Sequence, residues 1–388
     1  MYDVKLIDYK VNSKFTFKDL SSKNGILKVA NEIPEGIMVM RASAAWDQGY
    51  TGQSVVVAVL DTGCDSTHPD LKNKIIGGKN FTTEGNGEND YSDRHSHGTH
   101  VAGTIAAVRD NSGVVGVSPD VKLLILKVLN GDGDGYSTDI TTAINYASNW
   151  VGPNGEKVKI ISMSLGSKFP YVPMEDAVKN AVKKDILVVA AAGNSGDGNS
   201  KTAERSYPAY YQDVICVGAY DMWGKVAYFS NTNDNIDVVA PGVDVYSTIP
   251  GGYASYSGTS MAAPHISGAL ALIINYTKKR YNRDLKEIEL YNELLKHVGL
   301  LDDVTKEEQG NGLVILNFEN VPAVPDTISI NDITLEEALK AFQERGVINT
   351  PDYWLNNAVA GKTVRGDYAA LFIKRLHAVY NLNKKPIE

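Results

Sequence analysis

Cysteine is almost missing from this chain: its 388 residues carry two, Cys64 and Cys216. Two thiols cannot staple a fold with disulfides; they fit a reducing compartment and are expected as buried side chains. Long basic runs are missing too. Lys and Arg number 38 against 46 Asp and Glu, a formal net charge of -8, so nothing here attracts nucleic acid or an anionic membrane. No stretch approaches the roughly 18 consecutive apolar residues of a membrane span. The N-terminal "MYDVKLIDYKVNSKF" has no apolar targeting core, so the expected location is the cytoplasm. What is present is 43% hydrophobic residues, enough for one large core and a small second domain.

Short apolar runs alternate with helical patterns. "SVVVAVL" (54–60), "VKLLILKVL" (121–129), "VKIISMSL" (158–165), "ILVVAAA" (186–192) and "VICVGA" (214–219) are continuously apolar and β-branched, as strands buried on both faces are. Between them, "HGTHVAGTIAAVR", "STDITTAINYASNW" and "PMEDAVKNAVKK" have helical spacing. The alternation predicts an α/β fold with a parallel sheet, helices on both faces and right-handed crossovers. Ligands of such sheets bind beyond the carboxyl ends of the strands.

Four groups fall on that edge. Asp61 follows the first run, His97 and Ser260 open helical patterns, and Asn194 lies just past the fourth run. Singly, each has a plain structural explanation: a turn residue, a helix cap, an N-cap, a loop residue. Together they have the chemistry of acyl transfer. A serine hydroxyl needs an imidazole to take its proton as it attacks a carbonyl. That imidazole needs a buried carboxylate to hold its tautomer, and the developing oxyanion needs an amide donor. Ser260, His97, Asp61 and Asn194 fill these roles, with the Ser260 N–H as second oxyanion donor at a helix N-terminus.

The blocks "DTGCDSTHPDL", "HGTHVAGT", "AAAGNSG" and "GTSMAAPH" resemble the signatures of subtilisin-type serine peptidases, in the order Asp, His, Asn, Ser. Asp before His before Ser along the chain is itself a specific arrangement among serine hydrolases, subtilisin being its standard example. "VLDTGCD", "LIDY" and "NEIPEGI" are most similar to the intracellular subtilisins of Gram-positive bacteria. The resemblance spans about residues 31–318. It implies a three-layer sandwich on a mostly parallel sheet of about seven strands, a cytoplasmic endopeptidase acting on proteins or peptides, and often a homodimer. By the same resemblance Ser164, Leu165 and Gly166 line the substrate cleft, where binding would be by strand addition, and Ala192 and Gly193 floor the main specificity pocket. Ser167 and Ser195 depart from common family residues, which leaves the side-chain preference open between classes, large apolar residues being favoured.

The resemblance also implies a structural calcium ion and no organic cofactor. "VRDNSGVVG" (108–116) is similar to the family loop that wraps the ion, with Asp70 and Asp110 giving carboxylates, Asn31 an amide oxygen, and Val108, Ser112 and Val114 carbonyls. Oxygen ligands suit that hard cation. "NGDGDGYS" (130–137) lacks the spacing of a calcium loop and is expected at the cleft rim. Residues 1–30 form an N-terminal extension. Its "KLIDYKV" (5–11) alternates apolar and polar residues, and resembles the inhibitory latch of intracellular subtilisins through Leu6, Ile7 and Tyr9. Asp8 stands where the family has proline, so the chain does not impose a proline kink near the nucleophile.

After residue 318 the character changes. "ENVPAVPD" (319–326) reads as a linker. Residues 327–388 read as a small helical module, opened by a capping box at Thr334 and Glu337 and closed by Gly346. Leu339, Phe342, Trp354, Leu371 and Phe372 supply a core that would be marginal alone. The module distantly resembles helical modules of cell-wall hydrolases, so wall or target contact, docking and dimer pairing all stay open. Three other readings are weighed: a dedicated maturation protease, a silent subtilisin-like binding protein, and a small-ester hydrolase. The last lacks the Gly-x-Ser-x-Gly elbow.

Overall fold

A computed structural model of the protein describes residues 3–6, 10–16, 32–301 and 303–318. The chain divides into two units, Met1–Asn320 and Val321–Glu388; the expected linker and helical module lie outside the described residues. In chain order the strands are β1 (Asp3–Leu6), β2 (Lys10–Thr16), β3 (Val56–Asp61), β4 (Ile75–Asn80), β5 (Lys122–Lys127), β6 (Asp134–Tyr136), β7 (Val158–Met163) and β8 (Leu165–Gly166). They continue with β9 (Leu187–Ala191), β10 (Ile215–Tyr220), β11 (Val238–Pro241), β12 (Val245–Ile249), β13 (Gly252–Ser257), β14 (Val298–Gly299) and β15 (Leu313–Val314).

The five apolar runs become β3, β5, β7, β9 and β10 of one nine-stranded sheet, ordered β14-β15-β11-β10-β9-β7-β3-β5-β4. Every neighbouring pair is parallel except β14 with β15. Seven strands were expected and nine form. The extra pair at one edge, β14 and β15, has two residues per strand, too short to show a period in the sequence. Central strands are buried on both faces. Val56, Ala58 and Leu60 share an apolar cluster with Ile140, Ala143 and Ile144 of helix Ser137–Asn149 and with Met174, Ala177 and Val178 of helix Val172–Val182. Val57 and Val59, also buried, point the other way by the period of two, to the face left to helices His97–Ala106 and Thr259–Tyr281, which pack on each other and on the sheet.

Helix Thr259–Tyr281 buries 18 of its 23 residues. It is therefore a core element, apolar on nearly every side, and it ends where Lys278, Lys279 and Arg280 complement its negative end. Two small antiparallel sheets stand beside the main one, with orders β6-β1-β8 and β12-β13-β2. Both take one strand from the N-terminal extension. Among the described residues no helix is long and apolar enough to cross a membrane.

Candidate active site

Asp61 ends β3, and its neighbour β7 pairs with it in a register that sets Leu60 opposite Met163. The next residue on each strand is therefore Asp61 on one and Ser164 on the other, side by side beyond the carboxyl edge, about one strand spacing apart. Everything else in the site is built on these two positions.

Asp61 is buried, and its Oδ1 lies 2.8 Å from Nδ1 of His97 while also accepting the Thr62 N–H at 2.8 Å. A carboxylate in that position holds the imidazole proton on Nδ1 and presents Nε2 as the base. His97 is the first residue of its helix, and its approach is fixed by Thr62, whose hydroxyl accepts the Gly98 N–H at 2.9 Å. A Cβ on Gly98 would run into the carbonyl oxygen of Gly63, so only glycine lets helix and turn come this close. Asp93 ties the same parts together: its Oδ1 accepts the Thr62 hydroxyl (2.9 Å) and the Ser96 N–H (2.9 Å), and its Oδ2 accepts the Thr99 N–H (2.9 Å). Ser96, immediately before His97, sits at φ 106°, a conformation that favours glycine and is held here by these bonds and by the Tyr256 hydroxyl at 2.8 Å.

Ser260 is the second residue of its helix and is buried. Pro264 lies four residues on, so the carbonyl of Ser260 has no helical N–H to accept. The Ser164 hydroxyl donates to it at 2.9 Å instead. In return the Ser260 hydroxyl donates to the Ser164 carbonyl at 3.4 Å, a long bond that restrains it weakly. Ser260 is thus fastened to the residue beside Asp61. Asn194 follows β9, the strand on the far side of β7. Its Oδ1 accepts both the N–H (2.8 Å) and the hydroxyl (2.9 Å) of Thr259, which turns the Nδ2 donor end to the opposite side. The Gly193 N–H donates to Thr259 Oγ1 at 3.1 Å, and Asn231 Nδ2 donates to the Ala192 carbonyl at 2.8 Å. Ala192 and Gly193 are in this way pinned next to the start of the serine helix.

The expected cleft residues Leu165 and Gly166 form β8, and β6 lies within the 130–137 segment expected at the rim. Between them runs β1, antiparallel to both, with Lys5 opposite Gly166 and Asp134, Leu6 opposite Leu165, and Val4 opposite Gly135. The Leu6 N–H donates to the Gly133 carbonyl at 2.9 Å. Val4 is fully buried in the same apolar cluster as Leu129, Ile140 and Leu165. Ile7, Asp8 and Tyr9 lie outside the described residues, but the described ends on either side flank the serine. Leu6 is opposite the residue after Ser164, and Lys10 pairs with Ser257, three before Ser260.

Of the expected metal ligands, Asn31 lies outside the described residues. Asp70 is buried, and its Oδ2 accepts the Val114 N–H and the Tyr253 hydroxyl, both at 3.1 Å. Burial pushes its carboxyl up to about 6, and the nearby Asp110 and Glu32 charges add to this. Glu32 Oε2 accepts the N–H groups of Asp110 (3.1 Å) and Asn111 (2.7 Å). Among the described residues no three His, Cys, Asp or Glu side chains are arranged to hold a metal. Both cysteines are buried thiols, and burial pushes each well above its ordinary value. His100 is no second base: burial, with the nearby His97 adding to it, lowers it to about 3.

The expected site residues are named from the sequence, and the residues that hold them are passed over. Thr62, Thr259 and Pro264 stand inside the quoted motifs, and Asp93, four residues before His97, lies outside them.

A buried carboxylate–imidazole pair, a serine at a helix N-terminus and an amide at the next strand end, all on the carboxyl edge of a parallel sheet, define a subtilisin-like peptidase framework. Residues 52–312 match the Subtilase family, and the chain belongs to that family. It is 48% identical over 317 residues to the major intracellular serine protease of Bacillus subtilis (strain 168), covering 81% of this chain and 93% of that protein. It is 49% identical over 313 residues to an intracellular serine protease of Paenibacillus polymyxa, covering 80% and 94%, and 44% identical over 266 residues to subtilisin Savinase of Lederbergia lenta, covering 68% and 91%.

Proposed function

We propose that this protein is a serine endopeptidase working in the cytoplasm, restrained by its own N-terminal segment. The observation that carries the reading is the buried Asp61–His97 pair at 2.8 Å, set beside the Ser164 position to which Ser260 is fastened. His97 Nε2 takes the hydroxyl proton as Ser260 Oγ bonds to the scissile carbonyl carbon. Asp61 stabilises the resulting imidazolium. Asn194 Nδ2 and the Ser260 N–H hold the oxyanion. Collapse of the intermediate breaks the C–N bond, His97 returns the proton to the leaving amine, and water repeats the sequence on the acyl-enzyme. Substrate docks as β1 does, adding a strand between β6 and β8.

The latch reading rests on that same strand. Lys5 and Leu6 occupy the positions an extended substrate needs, so the cleft opens only when β1 leaves or the segment is cut. Asp8, lacking the constraint of proline, makes such a cut by the enzyme itself easier. The location follows two relatives named as intracellular, and a homodimer and a wall- or target-contacting role for residues 327–388 belong to the same proposal.

A calcium ion fits the 108–116 loop. Gly113 forms a cradle that a Cβ would fill, against Tyr253 and the Asp70 carboxylate, and a buried carboxylate facing Asp110 and Glu32 is the donor chemistry a hard cation takes. Asp70, Asp110 and the Val108, Ser112 and Val114 carbonyls would hold it, and it would supply charge neutralisation that stiffens the loop.

A serine-directed fluorophosphonate tests the core of this reading. The full chain should be labelled at Ser260, faster when Val4→Ala loosens the latch, and Ser260→Ala should not be labelled. No labelling of the Val4→Ala chain would favour a silent binding protein. Hydrolysis of denatured casein then separates a general endopeptidase from a dedicated maturation protease.

A further inference from the structure

Lys127 is a fully buried ammonium that the reaction does not use. It ends β5, directly opposite Asp61 in the register. Its Nζ donates to the Thr62 carbonyl at 2.6 Å and the Leu129 carbonyl at 3.0 Å, and forms an ion pair with Glu84 Oε2 at 2.9 Å. Thr62 is the residue after Asp61, and its hydroxyl accepts from Gly98 beside His97. Glu84 reaches the other way. Its Oε1 accepts the Gly131 N–H at 3.1 Å, and its backbone carbonyl is held by Asn80 Nδ2 at 2.6 Å. Gly131 belongs to the rim whose Asn130 Oδ1 accepts the N–H groups of Asp132 (2.9 Å) and Asp134 (3.0 Å), the latter opening β6.

Burying the Lys127 ammonium costs desolvation that its attraction to the partly exposed Glu84 carboxylate largely offsets, so the pair contributes little to stability compared with apolar side chains of the same volume. Lys127 joins the Thr62 turn to Glu84 and, through it, to Gly131 of the rim, alongside the backbone bonds of the Val128 and Leu129 N–H groups to the Asp61 carbonyl (2.9 and 3.2 Å). We infer that Lys127 and Glu84 are positioning residues: Lys127 fixes the turn that carries the Asp61 carboxylate, and Glu84 transmits the same restraint to the β6 wall of the substrate cleft. The inference rests on the peptidase reading above. Losing Lys127 frees both the Thr62 turn and the rim; losing Glu84 frees the rim alone.

The test uses the full chain carrying Val4→Ala, with fluorophosphonate labelling to report the Ser–His–Asp geometry and a long internally quenched peptide to report the cleft. Lys127→Met should lower the labelling rate and kcat by roughly 10²-fold, the cost of a misplacement of about 1 Å. Glu84→Gln should keep labelling near the parent rate and raise KM for the long peptide about tenfold, the loss of one charge-assisted bond. The double variant, which leaves no unpaired buried charge, should be no slower than Lys127→Met alone and guards against a single variant that fails to fold. The inference is overturned if the folded Lys127→Met or double variant labels at the parent rate, or if Glu84→Gln leaves KM unchanged. If the parent itself is not labelled, the peptidase reading fails instead.

Discussion

Val4 decides how tightly the N-terminal strand is held, and truncating it gives a calculable response. The side chain is wholly buried and packs into the apolar cluster behind the cleft. Val4→Ala removes two methyl groups, each contributing about 0.8 kcal/mol, so the docked strand loses about 1.6 kcal/mol before any cavity cost. That is roughly a 15-fold larger share of molecules with the cleft open, provided the open state starts as a minority. Lys5 is the internal comparison. Its ion pair with Asp134 spans 3.3 Å between side chains 68% and 51% exposed, where water screens most of the attraction, so Lys5→Ala should change the open population little. The assay is the initial rate of the uncut full chain on an internally quenched peptide, recorded before any self-cleavage shows on a gel. A Val4→Ala rate equal to the parent, or a Lys5→Ala rate that exceeds it, would refute β1 as the restraint held by apolar burial.

Asn194→Ala should lower kcat by about 10²–10³, the size known for the subtilisin oxyanion-hole asparagine, with KM little changed; a fall confined to KM would remove Asn194 from the oxyanion role. Asp61→Asn should cost on the order of 10⁴ in kcat by favouring the wrong imidazole tautomer, read by steady-state kinetics on a protein whose melting temperature is retained. Chelation should lower the melting temperature on the order of 5 °C, reversed by added calcium, as expected when a cation near 100 times its Kd is withdrawn. Glu287, at the start of helix Glu287–Leu294, is raised from 4.5 to about 7 by burial, with Asp213, Asp185 and Asp237 adding to it. The folded chain binds this proton more tightly than the unfolded chain, so the stability is full below pH 4.5 and is lost as pH rises through about 7. Glu287→Gln should therefore raise the melting temperature at pH 8.5 relative to its effect at pH 5, and an equal effect at both would contradict the buried-carboxylate account.

The sheet was legible because a strand buried on both faces must be apolar at every position; β3, β5, β7, β9 and β10 all announce themselves this way. The edges were not. β4, "IIGGKN", is glycine-rich and half-buried up to its last residue, the buried Asn80, and β14 and β15 are too short for any period. The expected site residues and some of their supports, Thr62, Thr259 and Pro264, share contiguous blocks, whereas Asp93, Ser164 and Lys127 meet them only in space. Lys127 reads as one more charged residue within an apolar run until Glu84, 43 positions earlier, is seen against it. The extension was readable as a strand only through its alternation, and its second segment, β2, pairs with β13 in a way nothing in "NSKFTF" signals.

The serine helix occupies the middle of the core yet comes late in the chain, some two hundred positions after the carboxylate on β3. During synthesis the parallel ladder of β3, β5, β7 and β9 can assemble while the ribosome has still to deliver residues 259–281. A partly made chain therefore owns a base without a nucleophile. The hydroxyl at position 260 joins the Asp61–His97 pair only after the sheet strands that precede it have been translated, and β1 and β2 of the N-terminal segment precede them all.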